Sequence, residues 1–86
     1  MELCDYYLKY MNALCAGTLA APEGIALSGE TPEERAMSLQ AALKNVSVPD
    51  FVRRCARAAG DALPDGLLDG FHEEDFARAL FARMAL

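Results

Sequence analysis

Four groups of residues in this chain have types suited to chemistry: Cys4, Cys15 and Cys55, the single His72, a carboxylate-rich stretch, and the arginines at 53, 54 and 57. Nucleophilic catalysis needs a nucleophile, a base to activate it and a group to orient that base. His72 stands at the start of a predicted helix beside Glu73, Glu74 and Asp75, while the cysteines fall on the apolar faces of predicted helices. Buried structural thiols are the reading, and no catalytic residue is assigned. The serines lie in Leu27-Ser28-Gly29, Met37-Ser38-Leu39 and Val46-Ser47-Val48. None follows an aspartate, so the phosphopantetheine attachment used by small acidic carrier domains is absent. The expectation is that the chain is not an enzyme.

Metal and cofactor chemistry fares no better. Neither Cys-x-x-Cys nor His-Glu-x-x-His occurs. Asp61, Asp65, Asp69 and Glu73–Asp75 alternate with glycines and invite a calcium reading. An EF-hand loop needs acids at alternating positions, glycine at the sixth and glutamate at the twelfth. That spacing fails from each of the three aspartates, and solvated turns account for the stretch. No glycine-rich phosphate loop is present, so no metal and no cofactor is expected.

Three cysteines cannot all pair within one chain. Cys4 and Cys15 fall on one predicted helix about 16 Å apart, beyond the roughly 7 Å that a disulfide spans. Reduced thiols suit a cytoplasmic protein. Glu2 and Asp5 occupy the place where a secretory leader carries positive charge. The apolar stretch Ala13–Ala21 is too short to cross a bilayer, so no membrane role is expected.

Charge narrows the partner class. The net charge is −5 and the pI about 4.6, which disfavours nucleic acid because phosphate binding depends on positive charge. One segment runs against this trend. Residues 36–60 have the outline of a helix-turn-helix, with Arg53, Arg54 and Arg57 placed to face DNA. Yet residues 49–64 hold 3 basic and 2 acidic groups, against 3 and 6 in residues 1–48 and 2 and 5 in residues 65–86. An ordinary exposed helix face explains three arginines, and DNA binding stands as the alternative function.

The leading expectation is a non-enzymatic protein-binding module, a small regulator or inhibitor docking an acidic and aromatic surface on a basic, nucleic-acid-handling partner. Tyr6 and Tyr10 flank the apolar stripe of the first helix, and tyrosine is favoured at interfaces. Met37 projects away from the apolar face of its helix. Glu30, Glu33 and Glu34, with Glu73, Glu74 and Asp75, would steer a basic partner. Self-association is a further possibility for so alanine-rich a chain.

What must position these residues is a set of helices. With 86 residues there is room for one domain and one core, and a domain this small buries only about 60% of its unfolded surface. Strand formers are scarce, with Ile25 the single isoleucine and Val46, Val48 and Val52 the valines. The spacing predicts an all-α bundle of four helices, about 3–19, 32–45, 49–62 and 73–85. In the first, Leu3, Cys4, Tyr7, Leu8, Met11, Leu14, Cys15 and Leu19 gather on one face. Thr31-Pro32-Glu33-Glu34 reads as a capping box opening the second, which buries Ala36, Leu39, Leu43 and Val46. The third turns Phe51, Val52, Cys55, Ala58, Ala59 and Ala62 inward and ends at Gly60 or Leu63. The fourth buries Phe76, Leu80, Met84 and part of Phe81. Between helices, Ile25, Leu27, Leu67, Leu68 and Phe71 are expected to plug the core.

Overall fold

Local chemistry starts and stops each helix. The computed structural model describes residues 2–85, and its first helix, α1, spans Leu3–Ala16. It ends earlier than the expected residue 19 because Gly17 takes φ +80°. From there the Thr18 and Leu19 N–H groups turn back to the Ala13 carbonyl at 2.9 and 3.2 Å. Glycine adopts that left-handed cap without a Cβ clash. At the other end, the Glu2 N–H donates to Asp5 Oδ2 at 2.9 Å.

The second helix, α2, spans Pro32–Ala42 and tightens into a 3-10 turn at Leu43–Asn45. Thr31 Oγ1 accepts from the Glu34 N–H at 3.1 Å, the first half of the expected capping box. The Glu34 carboxylate takes the Thr31 hydroxyl at 3.3 Å rather than the Thr31 N–H. The third helix, α3, spans Val48–Ala59; Ser47 is its cap and Pro49 lies in its first turn. Gly60, at φ +74°, ends it, which decides between the two expected ends. The fourth, α4, spans Glu73–Met84. The described residues form helices, turns and loops with no strand, so the fold is all-α.

The arrangement centres on α1, against which α2, α3 and α4 each pack. Tyr10, Leu14, Ile25, Leu39, Phe51, Val52, Cys55 and Ala56 form the core. Burying each large member stabilises the fold by about 1.5–3 kcal/mol. Ile25, from the α1–α2 loop, is 4% exposed, and Leu27 and Leu68 pack against the same cluster. Tyr7 joins three helices, with its ring edge-on to Phe51 at 5.4 Å and to Phe76 at 5.2 Å.

Two polar clamps tie distant segments to α1. Tyr10 Oη donates to Asp61 Oδ2 at 2.8 Å, and Lys9 Nζ reaches the same oxygen at 3.2 Å. These two bonds hold the Asp61 carboxyl below its ordinary range, and desolvation pushes the Tyr10 phenol up. At the far end, Arg83 Nε donates to Asp5 Oδ1 at 2.7 Å, and its Nη2 reaches Glu2 Oε2 at 3.1 Å. The Arg83 bond is the main cause of a lowered Asp5 pKa.

Several burial expectations are corrected. Ala58, Ala59 and Ala62 are exposed, and the inner face of α3 is Phe51, Val52, Cys55 and Ala56. Ala59 lies in the last turn of α3, just before the Gly60 cap, and Ala62 follows the Gly60 turn, where helical register no longer applies. No residue of α4 is fully buried. Phe76 and Leu80 are half-buried, but Met84 is 69% and Phe81 75% exposed. The cause is geometric: α4 rests on the outside of α1, and one such contact covers only part of its apolar arc.

Candidate functional site

The partner-binding residues expected from sequence separate once placed. Tyr10 is 1% exposed, so it is a core residue and not a contact surface. Its ring fills the α1–α3 contact, and its hydroxyl is satisfied by an aspartate 51 residues away. Tyr6 is half-buried against the core, its ring 6.3 Å from that of Tyr10. Met37 is 72% exposed, projecting from α2 as its helical position implies.

Glu30, Glu33 and Glu34 are exposed around the start of α2, and Glu73, Glu74 and Asp75 around the start of α4. Asp75 lies 3.8 Å from Arg78. Among the described residues, the five glutamates have no ion-pair partner. Carboxylates at helix starts interact favourably with the helix dipole. They also leave negative charge at both helix starts, offset in part at α2 by Arg35, whose Nη1 donates to the Gly29 and Glu30 carbonyls at 3.4 and 3.3 Å.

The arginines meet a different environment. Asp50 Oδ2 holds Arg54 at 3.0 Å, and Asp50 Oδ1 lies 3.8 Å from Arg53. Arg54 also donates to the Glu23 carbonyl at 3.3 Å. With Arg57 it borders an open hollow beside Pro22, Glu23 and Gly24. One carboxylate therefore offsets one of the three positive charges of this face, and Arg54 also braces a loop.

The thiols and the histidine do not assemble into a working pair. Cys4, Cys15 and Cys55 are all free. Cys55 is fully buried, and desolvation pushes its thiol up to about 11. Cys4 and His72 border one shallow hollow together with Asp69 and Asp75. Cys4 is only 2% exposed, however, and no hydrogen bond joins it to His72 among the described residues. Activation of a thiol by a base requires that contact. The described residues contain no cluster of three or more metal-ligating side chains, and no described helix is long and apolar enough to cross a membrane.

An apolar groove lies outside the expectations from sequence. Tyr7, Leu8, Met11 and Cys15 of α1 form the floor of an open groove of about 480 Å³. Ala36, Gln40, Leu43 and Lys44 wall it on the α2 side, and Leu80 and Met84 on the α4 side. Periodicity assigns most of these apolar residues to the core, because it marks a face without saying whether a neighbour covers it. One signal is present. At 100° per residue the apolar arc of α4 from Phe76 through Leu80 and Met84 to Phe81 covers about 140°, wider than the stripe of about 100° that one packed face needs.

No family model matches this chain, and no curated protein or solved structure matches it at a significant level.

Proposed function

We propose that this protein is a non-catalytic binding module that regulates or inhibits a partner protein by docking on a basic surface of it. The observation that carries this reading is a set of five exposed glutamates, Glu30, Glu33, Glu34, Glu73 and Glu74, without ion-pair partners among the described residues. Met37, one turn after Glu33 on α2, and Phe81, in the last turns of α4, are exposed apolar side chains. Unpaired like charges raise the potential of a surface and steer an oppositely charged partner toward it. Apolar anchors of this kind supply the contact that slows dissociation. A basic partner that normally holds nucleic acid has the complementary charge.

The test is retention of partner from lysate of the native host on immobilised protein, with half the sample treated with nuclease. A stoichiometric protein that survives nuclease, weakens with salt, and is lost from a variant carrying E30K, E33K, E34K, E73K and E74K supports the reading. Retention of nucleic acid alone would overturn it in favour of Arg53, Arg54 and Arg57. Protein retention unchanged by charge reversal and by salt overturns it as well.

A further inference from the structure

We infer that α4 is a hinged cover: it lifts from α1 about Gly70 while the α1–α2–α3 core stays folded, and Cys4 is the thiol it hides.

The core is complete without α4. Neither the buried cluster nor the half-buried apolar side chains packed against it include any residue of α4. On α4 itself only Phe76, Ala79, Leu80 and Arg83 are half-buried, and the others are exposed. Among the described residues, the hydrogen bonds that join α4 to α1 and its cap are those of Arg83. They reach Asp5 at 2.7 and 3.3 Å and Glu2 at 3.1 Å. The apolar part of the contact is Phe76, edge-on to Tyr7 at 5.2 Å, with Ala79 and Leu80 bordering hollows along α1. A segment with so few buried apolar contacts opens at a lower free energy than the whole fold.

The connection from α3 fixes where the hinge lies. Asp61 is bound to Tyr10 and Lys9, and Leu63 and Leu68 pack against the core. The anchored chain therefore reaches Leu68. Two residues on, Gly70 is exposed at φ +65°, and a Cβ placed there would meet nothing within 4 Å. Rotation at Gly70 needs no repacking. Once detached, α4 has 12 residues, at the lower edge of the roughly 12–15 at which an isolated helix is marginal in water, so it unwinds as it leaves.

Cys4 reports the opening. It is 2% exposed, yet it lies outside the buried cluster that holds Cys55. It borders a shallow hollow together with Phe71, His72, Phe76 and Ala79, all of which lie beyond the hinge. Lifting α4 bares Cys4 and the face of α1 carrying Leu3 and Tyr7, while Cys55 stays covered. Leu80 and Met84 leave with α4, so the apolar groove exists only in the closed form. A ligand of the groove then holds α4 closed, and one that takes its place on α1 holds it open.

The experiment treats the native full chain with iodoacetamide and follows each cysteine by peptide mass spectrometry. The thiolate sulfur displaces iodide to form the S–C bond, and the thiol proton passes to buffer. Each rate is divided by that of the same cysteine in denaturing urea, which gives the fraction of time it is exposed. The expected result is that Cys4 is exposed at least about tenfold more often than Cys55. Low concentrations of urea accelerate Cys4 less steeply, because its opening bares less surface.

Three variants separate the routes. Ala77→Gly changes an exposed position of α4 and should raise the Cys4 rate about fivefold by weakening the helix without touching α1. Arg83→Gln removes the clamp and should raise it about tenfold. Leu39→Ala weakens the core in the closed and lifted forms alike. It should raise the Cys55 rate about a hundredfold and leave Cys4 unchanged.

Four results overturn the inference. Cys4 and Cys55 share one rate and one urea dependence, so that α4 leaves only with the whole fold. Leu39→Ala accelerates both cysteines equally. Arg83→Gln accelerates Cys4 but Ala77→Gly does not, which assigns the exposure to fraying of the first turn of α1. Cys4 reacts at the rate of the denatured chain, which removes the closed form. If Leu39→Ala fails to fold, the urea dependence of the two thiols in the parent protein decides between local and global opening.

Discussion

Replacing Leu39 with alanine tests the arrangement most directly, because Leu39 is the only fully buried residue of α2. Its side chain is 0% exposed and lies in the core with Tyr10, Leu14, Phe51 and Val52. Leucine-to-alanine changes at such sites cost about 2–5 kcal/mol, set by how far the cavity collapses. The rest of α2 is half-buried or exposed, so the helix can settle inward and the expected cost is about 3 kcal/mol. An 86-residue domain has an unfolding entropy of about 180 cal/mol/K near its midpoint, which converts that cost into a fall in Tm of about 15 °C. Total stability for this length is about 4–13 kcal/mol, so the variant keeps a folded baseline only if the parent is not at the low end. Far-UV circular dichroism during heating, paired with urea titration, measures both quantities, and an unchanged urea slope confirms that the loss lies in the native state. Met37→Ala is the matched control. It removes a side chain that is 72% exposed on the same helix, and its cost should stay within about 0.5 kcal/mol. A fall of less than about 5 °C for Leu39→Ala would show that α2 does not dock through this residue. The groove wall would then have no anchor.

Three further outcomes follow from particular contacts. Asp5 and Asp61 are both held below the ordinary 3.8 by bonds to Arg83 and to Tyr10 with Lys9. As pH falls through that value the unfolded chain therefore takes up protons first, and the stability these groups contribute declines until pH passes below their folded values. Acid unfolding followed by circular dichroism should show a shallower dependence below pH 3.8 in Asp61→Asn; an unchanged curve removes the Tyr10 clamp from the account. Gly17→Ala places a Cβ at φ +80° and should cost about 1 kcal/mol although open space surrounds the site, since the penalty is in the backbone; urea titration reads it. Thr31→Ala deletes the oxygen that accepts the Glu34 N–H and should cost about 1 kcal/mol by the same measurement.

Short-range physics makes much of this protein legible in its sequence. Thr31-Pro32 and Ser47 start helices because their hydroxyls accept N–H groups three residues away. Gly17 and Gly60 end helices because only glycine takes the left-handed cap without strain. Scarcity of strand formers settles the all-α class, and the position of Met37 on its helix is enough to place it outward. Each of the caps and stops depends on residues within about one turn of one another.

The candidate site is decided by contacts that sequence spacing does not encode. Tyr10 is buried because Asp61, 51 residues on, comes to rest within 2.8 Å of its hydroxyl. Without that acceptor its polar end would have to stay in water. Leu8, Met11, Leu80 and Met84 belong to apolar faces by periodicity, yet they border a groove because α2 and α4 flank α1 without closing over it. Periodicity states which face of a helix avoids water. How far that face is covered depends on where the neighbouring helices cross, and the clamps at Asp5–Arg83 and Tyr10–Asp61, joining residues 78 and 51 apart, help fix those crossings.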